Sequence, residues 1–446
     1  MITIYENLMR MRRINQITGL LLCALFVVAS VRAQSALDTI SRNPNYAAGN
    51  YALYPDTIHG QLTPPPPGKH AFYISHYGRH GSRYLNDRSA YDIPHKMLSQ
   101  ADSLGALTPI GHQVLQNIQS IIAFSDKQWG DLSSHGRRQL RQIAHRMVER
   151  FPEVFADSAH VDARSTVVNR CILSMGSAMQ EMVRMNPSLK VTMRASQRDM
   201  HYMNFQDPVL RKGAMTPEAK QAYDDFVERH HVNERLMNLL FIQPDSARQV
   251  INEKWLNYYV IKMGLFQINT ENHKDTFLLS LFKPEELHRL WQWENVWWYI
   301  QHGGCLLNKG RQPYTQRHLL RQIIADADSC IQLERPGAQL RFGHETVLLP
   351  LVCLMGINGF DVQTANLEEV EKLGWWDTQV FPMGANVQFI FYRTDPSDND
   401  VLFKVLLNEQ EARLPITTDC APYYHWADFR QYYLDKLERY KQQYGE

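Results

Sequence analysis

The rhythm of hydrophobic and polar positions changes several times along the chain, and each change predicts a different kind of structure. Residues 34–62 carry no sustained period, and Asn43-Pro44-Asn45 and Tyr54-Pro55-Asp56 are turn signals. Pro64 to Pro67 is a stiff extended tract leading into Ala71–Ser75, an apolar and aromatic run of the kind that forms a buried strand. Thr108-Pro109 then opens a helix, Thr as cap and Pro in the first turn, with Ile110, Leu115, Ile118 and Ile122 as its apolar face. A second helix starts near Ser134 and buries Leu140, Ile143, Met147 and Phe151. Its other face carries Arg137, Arg138, Arg141 and Arg146, either a solvated basic face or a rim turned towards a substrate. Val161–Arg170 predicts a short strand, a turn and a helix through Met179, capped by Ser165 or Thr166.

From about 185 to 335 strand patterns nearly vanish. Helical segments rich in Leu, Met, Trp and Tyr take over, punctuated by Pro187, Pro244, Pro284 and Pro313. The aromatic run His288–Ile300 suits the core of a helical subdomain better than a cofactor box. Strand-to-helix alternation resumes at Ala338, where a strand ends in Gly343 and His344-Glu345 stands at the mouth of the next helix. Val387–Tyr392 and Leu402–Leu407 predict two further strands, and Asp428–Tyr444 a terminal helix. The fold class expected is α/β. Its core has a first part at 34–184 and a second at 336–446, separated by a helical insert at 185–335.

The first 33 residues stand apart from this pattern. Arg10, Arg12 and Arg13 precede the apolar run Ile17–Ala29, and Ser30-Val31-Arg32-Ala33 resembles a signal-peptidase site, so residues 1–33 are expected to be a signal peptide cleaved after Ala33. A membrane anchor is the rival, but the run is short for a span. Lipidation at Cys23 is another, although a leucine precedes that Cys where a lipoprotein box wants a small residue. The chain is therefore expected to be exported, periplasmic or secreted, with no stable membrane insertion after cleavage.

Composition narrows the partners. The 446 residues, 44% hydrophobic and 21% charged, are ordinary for a globular protein. Removing residues 1–33 takes four arginines and one glutamate from 47 basic and 46 acidic residues, leaving a balance of about −2. Bulk charge thus argues against a nucleic-acid or anionic-membrane partner, and any grip on a polyanion has to be local. Cys171, Cys305, Cys330, Cys353 and Cys420 remain, an odd number at wide spacing that describes neither a disulfide scaffold nor a zinc-ligand pattern.

Local cationic chemistry is found straight after the first strand, in Arg79-His80-Gly81-Ser82-Arg83. Guanidinium groups grip phosphate oxygens bidentately. Cations beside an imidazole depress its pKa and keep it neutral and nucleophilic. Gly78 and Gly81 bracket the His, as in a loop where backbone approaches a ligand closely. Arg170 falls in the first turns of the helix after the second strand, where a helix N-terminus already favours an anion. Glu345, as an exposed carboxyl kept protonated by its neighbours, can donate a proton, and His344 can hydrogen-bond a phosphate. A metal site is the rival reading of this pair, but the second His that a His-Glu-x-x-His helix requires is missing.

These motifs resemble the signature of the histidine phosphatase superfamily, and their order resembles its acid phosphatase and phytase branch. Phe342–Gly356, Ala385–Ile390 and Val405–Glu409 are most similar to the multiple inositol polyphosphate phosphatase group. The resemblance implies a mixed-sheet core with helices on both faces plus the helical insert. It implies that His80 is phosphorylated, that Arg79, Arg83, Arg170 and His344 hold the phosphate, and that Glu345 protonates the leaving alcohol; Arg164 is a weaker candidate. No metal and no cofactor is implied. The partner is a small phosphorylated molecule: an inositol polyphosphate, or sugar phosphates in a broad-specificity enzyme. A non-catalytic binding module would be expected to have lost the His or the arginines. Arg194, Arg198, Lys309 and Arg311 are candidates for extra cations along a cleft. Two departures stand out: His344-Glu345 where that group usually has His-Ala-Glu, and Leu85 where a Pro is common.

Overall fold

The computed structural model describes residues 35–231, 235–271 and 275–445. The expected signal peptide lies outside them. A sheet of eight strands runs through the described chain: β1 (His70–Arg79), β2 (His160–Ser165), β3 (Lys190–Ala195), β4 (Gly337–Gly343), β5 (Asn386–Arg393), β6 (Leu402–Leu407), β7 (Gln410–Ala412) and β8 (Tyr424–His425). Their order is β3-β2-β4-β1-β5-β6-β7, with β8 also paired to β6. β3, β2, β4 and β1 are parallel, and from β5 onward the pairing is antiparallel.

The strand β1 outruns its apolar pattern by four residues because it lies mid-sheet, between β4 and β5, and everything after His70 is buried. Its polar groups are paired in place. Ser75 Oγ accepts from Arg341 Nη1 at 3.0 Å, and Tyr77 Oη donates to the Met203 carbonyl at 3.0 Å. The edge strand β3 falls inside the stretch expected to be helical, so the boundary at 185 cuts a strand from the sheet. It escapes a hydrophobic reading because Lys190, Thr192 and Ala195 are exposed and Val191 and Arg194 only half-buried.

The longer helices among the described residues include α1 (Ser89–Ser103), α2 (Pro109–Ser125), α3 (Ser134–Arg150), α4 (Asn169–Met185), α5 (Glu253–Gln267), α6 (Pro284–His302), α7 (Arg317–Ile331), α8 (Glu345–Met355) and α9 (Trp426–Tyr444). Thr108 caps α2, accepting from Gly111 N–H at 3.1 Å, with Pro109 in the first turn. The alternation of β1 divides the core. Ile74 joins Leu140, Met147, Ala178 and Met179 beneath α3 and α4. Tyr73 and Tyr77 face the other way, into a cluster with Val260, Trp291, Tyr299, Leu320 and Val347. Each such side chain taken fully out of water contributes about 1.5–3 kcal/mol. The helical block therefore shares its core with one face of the sheet. On α3 the basic face is only partly solvated, since Arg146 makes two hydrogen bonds to Glu409, at 2.9 and 2.7 Å.

Candidate active site

Register places the chemistry. Arg79 pairs with Gly343, and Ser165 with Phe342, so β1, β2 and β4 end on one line. The residues that follow them, His80, Thr166 to Arg170 and His344-Glu345, meet at that edge, where parallel sheets form their ligand crevices. The chain through His80 is fixed on both sides: His80 N–H donates to Gly343 O at 3.0 Å, and Gly384 N–H donates to His80 O at 2.9 Å. The glycines serve packing of the protein on itself. A Cβ on Gly81 would lie 2.5 Å from Gly136 O at the start of α3, and one on Gly78 would lie 2.6 Å from the His76 ring. The loop is held to α3 from the other side too, with Ser133 Oγ capping that helix and donating to Ser82 O at 3.0 Å.

His80 is fully buried, and its Nδ1 lies 2.9 Å from Gly81 O. A carbonyl only accepts, so Nδ1 carries the proton and the lone pair sits on Nε2, which has no hydrogen-bond partner. Burial first holds its pKa well below the ordinary imidazole value; Arg79 and Arg170 add to that, against the opposing pull of Glu345. The result is a neutral ring with a free nitrogen.

Around it stand three guanidinium groups. Arg79 is completely buried, donating from Nε to Glu345 Oε2 at 3.0 Å and from Nη1 to Phe381 O at 2.6 Å, and burial lowers its pKa to about 10. Arg83 donates to its neighbour's carbonyl, Tyr84 O, at 2.9 Å and lies 5.3 Å from the centre of the Tyr51 ring. Arg170 occupies the first turn of α4, and burial and Arg83 lower its pKa. Arg79 Nη2, Arg83 Nε and Arg170 Nε are buried without a partner. Buried donors are rarely left unpaired, and three on neighbouring cations describe a receptor for an oxyanion. Arg164 does not join them; its guanidinium is held by Asp162 at 2.6 Å and Asp326 at 3.2 Å.

The third component is the start of α8. His344 is its cap residue, and its ring meets that of His80 edge-on at 5.8 Å. His344 Nε2 lies 3.2 Å from Thr166 Oγ1, and Cys171 Sγ lies 3.7 Å from the same nitrogen. Thr166 is thus spent on the site, and neither it nor Ser165 caps α4, whose cap residue is Val168. Burial lowers the His344 pKa to about 4, so this ring too is neutral.

Glu345 departs from expectation. It is buried rather than exposed, bound to Arg79, and its Oε2 lies 3.4 Å from His80 Nε2. Burial works to raise its pKa, but Arg79 first, then His80 and Arg83, overcome burial and hold it well below the usual carboxylate range. In the free site Glu345 is ionised.

The family model of the histidine phosphatase superfamily (branch 2) matches residues 78–408. The chain belongs to that superfamily. With it goes the hydrolysis of phosphoric monoesters, and the chain is a histidine-type phosphatase. Multiple inositol polyphosphate phosphatase 1 of Gallus gallus is 22% identical over 325 residues, 69% of each chain. The Bifidobacterium longum multiple inositol polyphosphate phosphatase, solved in complex with phosphate, has a TM-score of 0.68 at 14% identity, covering 88% of this chain and 98% of its own. The phytase of D. castellii has a TM-score of 0.58 at 12% identity, covering 90% and 87%.

Of the candidate cleft cations, Arg194 is paired with Asp199 at 2.7 Å and Arg311 stacks on Tyr444 of α9 at 4.1 Å, while Lys309 and Arg198 are exposed. Other groups that the sequence does not flag come from the segment before β1 and from the helical block. Tyr51 packs on Arg83. His302 stacks on Trp298, whose ring meets Phe381, and it lies within electrostatic range of Glu345.

Nitrogen and oxygen donors of His80, His344 and Glu345 lie within 4.8 Å of one another, close enough to suggest a cation. The charge around them argues otherwise, because Arg79 already neutralises the carboxylate and Arg83 and Arg170 repel a metal ion. Protein treated with EDTA is therefore expected to keep its turnover. A loss restored by zinc or magnesium would make these three residues metal ligands.

Proposed function

We propose that the protein is an exported phosphatase that removes phosphate from inositol polyphosphates through a phosphohistidine. The observation that carries the reading is the set of unpartnered donors of Arg79, Arg83 and Arg170 around the unprotonated Nε2 of His80. In the first step Nε2 bonds to phosphorus as the bond to the alkoxide oxygen breaks, and Glu345 delivers a proton to that oxygen. In the second, water attacks phosphorus, the nitrogen–phosphorus bond breaks, and the water's proton passes to Glu345. The arginines and His344 hold the equatorial oxygens in both steps, where charge builds up. Substrate class is argued from the relatives named above, two of which are called inositol polyphosphate phosphatases. Export is argued from residues 1–33, and no helix among the described residues is long and apolar enough to cross a membrane.

The test is phosphate release from inositol hexakisphosphate, glucose 1-phosphate and nitrophenyl phosphate under one set of conditions. The expected result is the highest kcat/KM on the inositol ester, with lower inositol phosphates appearing over time. Comparable rates on all three would make the chain a broad-specificity phosphatase. No release from any would leave only a binding module.

A further inference from the structure

A second cluster of chemically able side chains lies at the far end of the sheet from His80. β1 spans ten residues, about 30 Å, and Arg79 closes one end while Lys69 precedes the other. There the loop between β5 and β6 brings Asp398 and Asp400 to Lys69, whose Nζ lies 2.7 and 3.5 Å from them. β8 pairs with the start of β6, Leu402 opposite His425, so His425 arrives beside Asp400 as the cap residue of α9.

His425 is gripped at both nitrogens. Nδ1 lies 2.7 Å from Asp400 Oδ1, whereas Nε2 lies 3.0 Å from Asp419 Oδ1 and 3.9 Å from Cys420 Sγ. One donor atom each from Asp419, Cys420 and His425 falls within 4.8 Å of the others. Tetrahedral zinc with bonds of about 2.0–2.3 Å separates its nitrogen, oxygen and sulfur ligands by roughly 3.4–3.6 Å. Shifts of a few tenths of an ångström would bring Asp419 Oδ1 and Cys420 Sγ to those separations from His425 Nε2.

We propose that Asp419, Cys420 and His425 bind one zinc-class divalent cation, with Asp400 orienting His425 through its other ring nitrogen. Three features support a site over a chance meeting of polar groups. The donors are nitrogen, sulfur and oxygen, the set that selects zinc over calcium or magnesium. A carboxylate behind the imidazole is the usual partner of a zinc-binding His, fixing its tautomer and its angle. The loop is also built in advance: Thr418 Oγ1 donates to Tyr423 O at 2.8 Å, Tyr423 N–H donates to Cys420 O at 2.9 Å, and Tyr423 Oη donates to Pro64 O at 2.7 Å. Local charge agrees, with Asp398, Asp400 and Asp419 set against Lys69 alone among the groups named here. On binding, the Cys420 thiol proton leaves to solvent as the sulfur–metal bond forms. The cation would tie the loop before β8 to the start of α9. Two residues at this spacing make no recognisable zinc pattern, because the set is completed by the neighbour Asp419 and by Asp400 from another loop.

The rival account is an imidazolium bridging two carboxylates, which leaves Cys420 a bystander. The full chain, stripped of metal by a chelator, separates the two. Zinc titrated calorimetrically should bind at one equivalent and raise the thermal midpoint. Cobalt should give a thiolate-to-metal charge-transfer band in the near ultraviolet. Cys420→Ser and His425→Gln should remove both effects while phosphatase turnover stays at the wild-type level, and Asp400→Asn should weaken zinc binding about 10–100-fold. Zinc should also slow iodoacetamide alkylation of Cys420 in the wild-type chain, a readout that needs no variant to fold; Cys171, Cys305, Cys330 and Cys353 are buried. A cobalt spectrum without the sulfur band overturns the proposal, as does an alkylation rate indifferent to zinc. Metal binding lost in His80→Ala but kept in Cys420→Ser would place the ion at the phosphatase site instead. None of these outcomes depends on the substrate of the enzyme.

Discussion

His80→Ala is expected to lower turnover by at least about 10³-fold on every phosphomonoester while leaving the protein folded. The His80 ring is neutral and makes one hydrogen bond, to the carbonyl of the next residue, so its removal strands no buried ion. The cost in stability is that of a small cavity and one lost hydrogen bond, within about 1–3 kcal/mol. The three guanidinium groups stay, so phosphate and unreactive analogues should still bind. What disappears is the nitrogen lone pair of Nε2 placed among the unpartnered donors, and with it the covalent route. Rapid alkaline denaturing quench of the wild type with radiolabelled substrate should trap label on protein in a base-stable bond that acid then cleaves, and the variant should trap none. Turnover above about a hundredth of wild type would assign the nucleophile elsewhere.

Much of this site can be read from the chain because its parts are local. Arg79-His80-Gly81-Ser82-Arg83 follows one strand directly, Arg170 opens one helix, and His344-Glu345 opens another, so strand and helix signals suffice to place each of them. What cannot be read is set by pairings distant in sequence. The charge of Glu345 depends on Arg79, 266 residues away, and the orientation of His344 on Thr166, 178 residues away. Gly81 offers the same lesson. A glycine beside a catalytic His suggests room for a ligand, and only the approach of Gly136 shows that the room is taken by a helix. β3 fails for another reason. At a sheet edge it buries too little apolar surface to impose a strand rhythm on its sequence.

The ionised state of Glu345 leads to the second large effect expected. Glu345→Gln keeps the size of the side chain and can still accept from Arg79, but it cannot deliver a proton. In the free site the carboxylate has none to give, so the proton has to arrive with the substrate. A bound phosphate draws off part of the charge of Arg79 and sets negative oxygens beside Glu345, and both changes raise its pKa. A phosphomonoester in its singly ionised form brings the proton itself, and that form disappears as pH rises past about 6. The wild-type kcat/KM on an inositol phosphate should therefore fall with rising pH more steeply than on nitrophenyl phosphate, whose leaving group departs as a stable anion. The variant should lose roughly 10²–10⁴-fold on the inositol ester, the span general acid catalysis covers. On nitrophenyl phosphate its first step should lose far less, and a burst of nitrophenolate should survive even where hydrolysis of the phosphoenzyme slows. Breaking the buried pair with Arg79 also destabilises the fold, so thermal midpoints have to accompany the rates. Thr346, half-buried in the next position of the same helical turn, is the control, and Thr346→Val should change both rates little. Equal losses of Glu345→Gln on the two esters would show that Glu345 holds Arg79 in place, and that the leaving oxygen takes its proton from another group in the cleft.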